Sequence, residues 1–189
     1  QAGRGVVRAV LAGTRTERPT TEPVPIDAEC ADCGGGLIAR FDERGHIECA
    51  DCGATVMWNE FPPAGLEGRD DAEIARAFDR WTQRRFRLAM DGVCPSCAAP
   101  METTRTGRPS ADGGEIASLH RCSNCRYEAR VPLFGHVLEH PAVVSFYHER
   151  GLDITDQPYW HLKSMARGFD ETVLDEDPWR AAIEITADG

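Results

Sequence analysis

All eight cysteines of the 189-residue chain fall into four C-x-x-C pairs: Cys30/Cys33, Cys49/Cys52, Cys94/Cys97 and Cys122/Cys125. Two residues between paired thiols let one tight turn aim both sulfurs at a single ion, and two such turns complete the tetrahedral four-sulfur shell that zinc prefers. Chain order therefore predicts two structural Zn2+ sites. Cys30, Cys33, Cys49 and Cys52 form one, and Cys94, Cys97, Cys122 and Cys125 form the other. Fifteen residues separate Cys33 from Cys49 and twenty-four separate Cys97 from Cys122, and a hairpin spans either distance. Gly34 and Gly53 follow the second cysteine of their pairs, where the missing Cβ lets backbone N–H groups turn toward the thiolates. Ala98 and Arg126 hold that place in the second set and suit it less well. Disulfides, redox-active pairs and ligand sets interleaved between the two halves are the alternatives. Against the first two, a chain of this length buries a core without covalent staples and shows no apolar signal segment, and redox pairs belong at helix starts after a strand.

Two further constellations carry chemistry. His136-Val-Leu-Glu139-His140 matches H-x-x-E-H, the inverted zinc-peptidase signature. That chemistry needs both histidines on one face of a continuous helix, and Pro141 biases His140 away from helical dihedrals, so a zinc hydrolase on His136, Glu139 and His140 is an alternative only. Arg80, Arg84 and Arg87 share a helix face near Trp81 and Phe86 and form a candidate nucleic-acid patch; the competing reading is a solvated face with intrahelical ion pairs. His120, two residues before Cys122, is placed to orient that knuckle or to replace a ligand. His46, His148 and His161 have no metal-ligand spacing.

The elements that must position these groups follow from pattern. Leu37–Phe41, His46–Cys49 and Thr55–Trp58 read as three strands, with a turn at Asp42–Gly45. Met101–Thr106, Ile116–His120 and Tyr127–Val131 repeat that order around a Gly107–Gly114 loop, and Phe61 and Phe134 each lie nine residues beyond a final cysteine, so an internal duplication is expected. A helix follows each ribbon. The first starts at an Asp70/Glu73 capping box and ends at Gly92, with Ile74, Ala77, Phe78, Trp81, Leu88 and Ala89 on one stripe. The second runs from Pro141 to Arg150, stopped by Gly151. Beyond it Trp160–Met165, Thr172–Leu174 and Trp179–Ile185 read as strands, with a turn at Asp175–Pro178. Upstream, Gly5–Ala12 is a short amphipathic helix capped by Gly13, and Thr14–Pro25 is an extended linker.

The expected fold is α+β: two three-stranded antiparallel zinc ribbons, each followed by a helix, with a small C-terminal antiparallel sheet. Its segments are 1–13 (terminal helix of a mostly absent domain), 14–26 (linker), 27–92 and 93–151 (ribbon plus helix), and 152–189 (strands). The net charge is −10, with 31 acidic residues against 21 basic ones, of which Lys163 is the single lysine. That balance gives no broad attraction to nucleic acid, and the apolar runs are too short to span a membrane.

Three stretches add a likeness: Gly3–Thr14 (GRGVVRAVLAGT), Phe61–Asp79 (FPPAGLEGRDDAEIARAFD) and His140–Asp153 (HPAVVSFYHERGLD). With the paired ribbons they resemble the region that follows the DNA-binding domain in ArsR-like winged-helix (HTH) transcriptional regulators of haloarchaea. The acidic, lysine-poor composition likewise resembles that of proteins from salt-loving archaea. The resemblance implies that Ala2–Gly13 closes a winged-helix domain whose recognition helix and wing are missing, so the chain reads as a fragment. It further implies a cytoplasmic, non-catalytic, zinc-binding regulatory or dimerisation portion. DNA would be contacted through the upstream domain, with a homodimer, a protein partner or a small effector as partners and no membrane. The alternative is a free-standing ribbon module that binds nucleic acid or polymerase.

Overall fold

The computed structural model describes residues 22–42, 44–106 and 116–186. The Gly5–Ala12 helix, most of the linker and the Gly107–Gly114 loop lie outside the described residues. The α+β class stands, with antiparallel sheets of four, three and two strands. Among the described residues the chain divides into two compact units, 22–83 with 158–164 and 84–157 with 165–186.

The first unit is built on β1 (Val24–Glu29), β2 (Gly36–Phe41), β3 (Gly45–Cys49) and β4 (Thr55–Asn59), paired in that order. The linker expected through residue 26 therefore stops short, and this ribbon has four strands rather than three. Val24, Pro25 and Ile26 pair with Ala39, Ile38 and Leu37, which satisfies the otherwise open edge of β2. Pro25 is tolerated because β1 is itself an edge strand. Strand alternation buries Leu37, Ala39 and Phe41 on one face, and the rings of Phe41, Phe61 and Phe78 lie 5.3–5.6 Å apart at the centre of the core. Gly45 is required there, since a Cβ would collide with the Phe78 ring.

Helix α1 (Asp71–Met90) starts at the expected box: Asp70 Oδ1 accepts from Glu73 N at 2.9 Å and Glu73 Oε2 accepts from Asp70 N at 3.0 Å. Its buried stripe is rotated from the expected one. Ile74, Phe78 and Ala89 are buried, but Trp81 and Leu88 are exposed, and Ala75, Asp79, Thr82 and Arg85 take the inner positions. Trp81 is held at the surface by its indole N–H, which donates to the Glu60 carbonyl at 2.8 Å.

Trp160–Met165, expected as a strand, is helical: α3 spans Tyr159–Met165. Pro158 starts the turn by accepting from His161 N and Leu162 N, and Asp79 Oδ1 accepts from Tyr159 N at 2.9 Å. An acceptor from a distant helix thus caps the segment, while Tyr159, Trp160 and Leu162 go into the core.

In the second unit β5 (Met101–Thr106), β6 (Ala117–Cys122) and β7 (Glu128–Pro132) form the three-stranded ribbon. A short 3-10 turn, Leu133–His136, leads to α2 (Pro141–His148). Gly151 closes that segment at φ 77°. The hairpin of β8 (Phe169–Glu176) and β9 (Trp179–Ile185) follows, with Glu176 paired to Trp179 across the expected turn. Ala89, Ile116, Ala129, Val131, Phe134 and Ile154 make the core. Buried Arg85 lies 4.7 Å over the Tyr127 ring and donates from Nη2 to Ser96 Oγ at 2.9 Å.

Candidate metal centres

Each knuckle is one backbone design used four times. The residue after the second cysteine donates its N–H to the first cysteine's carbonyl: Gly34 to Cys30 at 2.8 Å, Gly53 to Cys49 at 3.1 Å, Ala98 to Cys94 at 2.8 Å and Arg126 to Cys122 at 3.0 Å. The first cysteine's N–H returns to the carbonyl one residue further on, at Gly35, Ala54, Ala99 and Tyr127. This closed loop requires a left-handed residue, and φ is 75°, 72°, 60° and 63° at Gly34, Gly53, Ala98 and Arg126. The first pair meets that demand with glycine; the second meets it with residues that carry a Cβ.

The loops bring the thiols together within each half of the chain. Cys30, Cys33, Cys49 and Cys52 place their sulfurs within 4.8 Å of one another, and so do Cys94, Cys97, Cys122 and Cys125. Pairing is not interleaved, and all eight cysteines are free rather than disulfide-bonded. Across the knuckles the Sγ separations are 3.8 Å (Cys30–Cys52) and 3.5 Å (Cys33–Cys49, Cys94–Cys125 and Cys97–Cys122). A metal–sulfur bond of about 2.3 Å in a regular tetrahedron sets neighbouring sulfurs about 3.8 Å apart, so both groups fit a single ion with little adjustment. In every pair the first cysteine is buried and the second exposed.

N–H groups already point at the sulfurs. Asp32 N donates to Cys30, Gly35 N to Cys33 and Asp51 N to Cys49, each at 3.4 Å. In the second group the Asn124 side-chain amide donates to Cys97 at 3.4 Å, and that bond leads in holding the Cys97 thiol down to about 6. Donation of this kind stabilises thiolate, the ligand form.

Among the described residues the other candidates are not gathered into metal sites. His136 lies in the 3-10 turn and His140 is the N-cap of α2, accepting from Ala142 N at 3.2 Å. Glu139 pairs with Arg87 Nη1 at 3.0 Å, and Arg87 Nε also reaches Asp91 at 3.3 Å. The H-x-x-E-H segment therefore bends where a peptidase needs a continuous helix, and Arg87 is engaged by one carboxylate from its own segment, Asp91, and one from elsewhere in the chain, Glu139. Arg80 and Arg84 are exposed on α1. His120 belongs to neither cysteine group among the described residues; its Nδ1 faces Thr103 Oγ1 at 3.0 Å and its Nε2 faces Ser118 Oγ at 2.7 Å. Sequence reasoning missed Ser118 and Thr103. Their signal was strand alternation, which puts Ser118 on the face of His120 and pairs Thr103 directly opposite His120.

Comparison with known proteins adds a family and nothing closer. No curated protein and no solved structure matches the chain. A family model described as a domain of unknown function, DUF7351, matches residues 27–189, which takes in both cysteine groups and every helix described above. By that match over most of its length, the chain belongs to the DUF7351 family.

Proposed function

We propose that this chain is the zinc-binding regulatory or dimerisation portion of a cytoplasmic DNA-binding transcriptional regulator, and that it is not a catalyst. The observation that carries the zinc part is the sulfur geometry, with two groups of four thiols each collected within 4.8 Å. A catalytic zinc keeps one position open for water or substrate beside three protein ligands, whereas four cysteines close the shell. Closed shells hold structure. Each would couple folding to metal binding with an apparent free energy of about 10–16 kcal/mol, which suits ribbons with small apolar cores.

The regulatory part rests on the likeness of the three quoted stretches to the ArsR-like regulators, in which DNA is contacted by a preceding winged-helix domain. The acidic balance of the chain supports this division, because 31 acidic against 21 basic residues leave little to hold phosphate here.

The test is elemental analysis with thermal unfolding. The chain is expected to carry two zinc ions, and Cys52→Ser one, with an unfolding transition lost or lowered. Two ions and an unchanged melting curve in Cys52→Ser would refute the structural role. Titration with duplex DNA tests the division of labour. Weak or no binding is expected, whereas a log–log salt slope of about −0.9 per phosphate contact would favour the free-standing nucleic-acid module.

A further inference from the structure

The second unit contains a cavity of about 600 Å³ that the cysteines do not use, a volume in the range of small-molecule sites. Its polar side comes from the ribbon and its apolar side largely from the hairpin. Arg105 on β5 pairs directly opposite Ser118 on β6. Ser118 Oγ lies 2.7 Å from Nε2 of both His120 and His136. One hydroxyl carries one proton: Ser118 gives it to one of the two imidazoles or, over a longer 3.4 Å contact, to the Val131 carbonyl, and accepts from the imidazoles that do not take it. With Thr103 on His120 Nδ1, the chain Thr103–His120–Ser118–His136 can run in either direction.

Among the described residues the lining of this cavity includes Arg105, Arg180 and two histidines and no carboxylate, in a chain whose net charge is −10. Arg180 is paired with Asp175 at 3.2 Å. Arg105 lies 5.2 Å over the Trp179 ring, a contact that holds the guanidinium at the cavity, and a guanidinium is the side chain suited to a bidentate acceptor. Burial, and secondarily Arg105, lower the His136 pKa, so the fixed positive charge resides on the guanidinium. Leu133, Leu174 and Ala181 complete an aliphatic wall.

We propose that this cavity binds a small organic acid, its carboxylate taken by Arg105 and the His136 end of the hydrogen-bond chain and its apolar body by Leu133, Leu174 and Trp179. A carboxylate accepting from His136 selects the direction in which Ser118 donates to His136 and Thr103 donates to His120. The pocket holds its ligand whether or not the chain serves a transcriptional regulator.

The experiment is calorimetric titration of the zinc-loaded chain with octanoate, with octan-1-ol and inorganic phosphate as the apolar and anionic halves of that probe. Saturable octanoate binding tighter than about 1 mM is expected, with both halves at least about tenfold weaker. Arg105→Gln should weaken octanoate about tenfold or more. Leu174→Glu, at a position 60% exposed and so harmless to folding, should abolish it by placing a like charge in the wall. No saturable binding, equal affinity for octan-1-ol or phosphate, or an Arg105→Gln protein that binds as tightly as the parent would each overturn the assignment.

Discussion

The position after each second cysteine shows how a single residue sets the quality of a knuckle. All four are left-handed, a conformation that costs a residue with a Cβ about 1–2 kcal/mol and glycine almost nothing. A Cβ built on Gly34 or Gly53 meets no atom within 4 Å, so backbone conformation alone decides the effect of substitution. Gly34→Ala and Gly53→Ala are each expected to lower stability by about 1 kcal/mol, and Ala98→Gly and Arg126→Gly to raise it by a similar amount. Denaturant unfolding of the zinc-loaded proteins checks the sign. If Ala98→Gly were destabilising, contacts of the alanine methyl, and not φ, would govern the second site. This ranking of the two sites was legible before the fold, because a C-x-x-C-G and a C-x-x-C-A differ at the residue the turn constrains.

At the scale of elements, local signals were read well and distant partners were not. The Asp70/Glu73 box, the Gly92 and Gly151 stops and most strand positions depend on neighbours within a few residues. Helix α3 depends on Asp79, eighty residues away, and Trp160-His-Leu-Lys alternates just as a strand would over so short a run. Asp79 itself is 5% exposed and accepts from Tyr159 N and the Gln83 amide. Desolvation raises its pKa against the pull of those bonds. Its folded pKa therefore exceeds the unfolded value of about 3.9, so its contribution is fully present below that value and is lost as pH rises through the folded pKa. Asp79→Asn keeps an acceptor for Tyr159 without the charge. Over the window that opens at about pH 4 the parent is thus expected to lose stability, as pH rises, relative to Asp79→Asn, and comparing the two proteins cancels any effect of acid on the metal sites. A constant difference across that window would mean that Asp79 titrates alike in both states. Asp79→Ala, which strands a buried N–H, should cost about 1–3 kcal/mol at any pH.

For the whole molecule the deciding quantity is charge. One knuckle recurs four times, and cysteine spacing made both metal groups readable. The organic-acid cavity was not readable, because Arg105, Ser118, His136 and Trp179 come together from four separate segments with no shared motif. Composition, in contrast, speaks for the chain as a unit. Its −10 net charge repels itself in the compact state, while exposed cross-strand pairs such as Arg40–Glu48 at 2.7 Å and Arg121–Glu128 at 2.6 Å pull the other way. Such exposed pairs contribute about 0–1 kcal/mol each at most, and salt weakens both effects as the Debye length falls from about 10 Å at 0.1 M to about 3 Å at 1 M. Repulsion summed over the excess of carboxylates is expected to outweigh a few surface pairs. The unfolding temperature should therefore rise between those two concentrations of sodium chloride, by about 2–4 °C for each kcal/mol of repulsion removed. A fall would mean that the cross-strand ion pairs, and not the net charge, dominate the electrostatics of this fold.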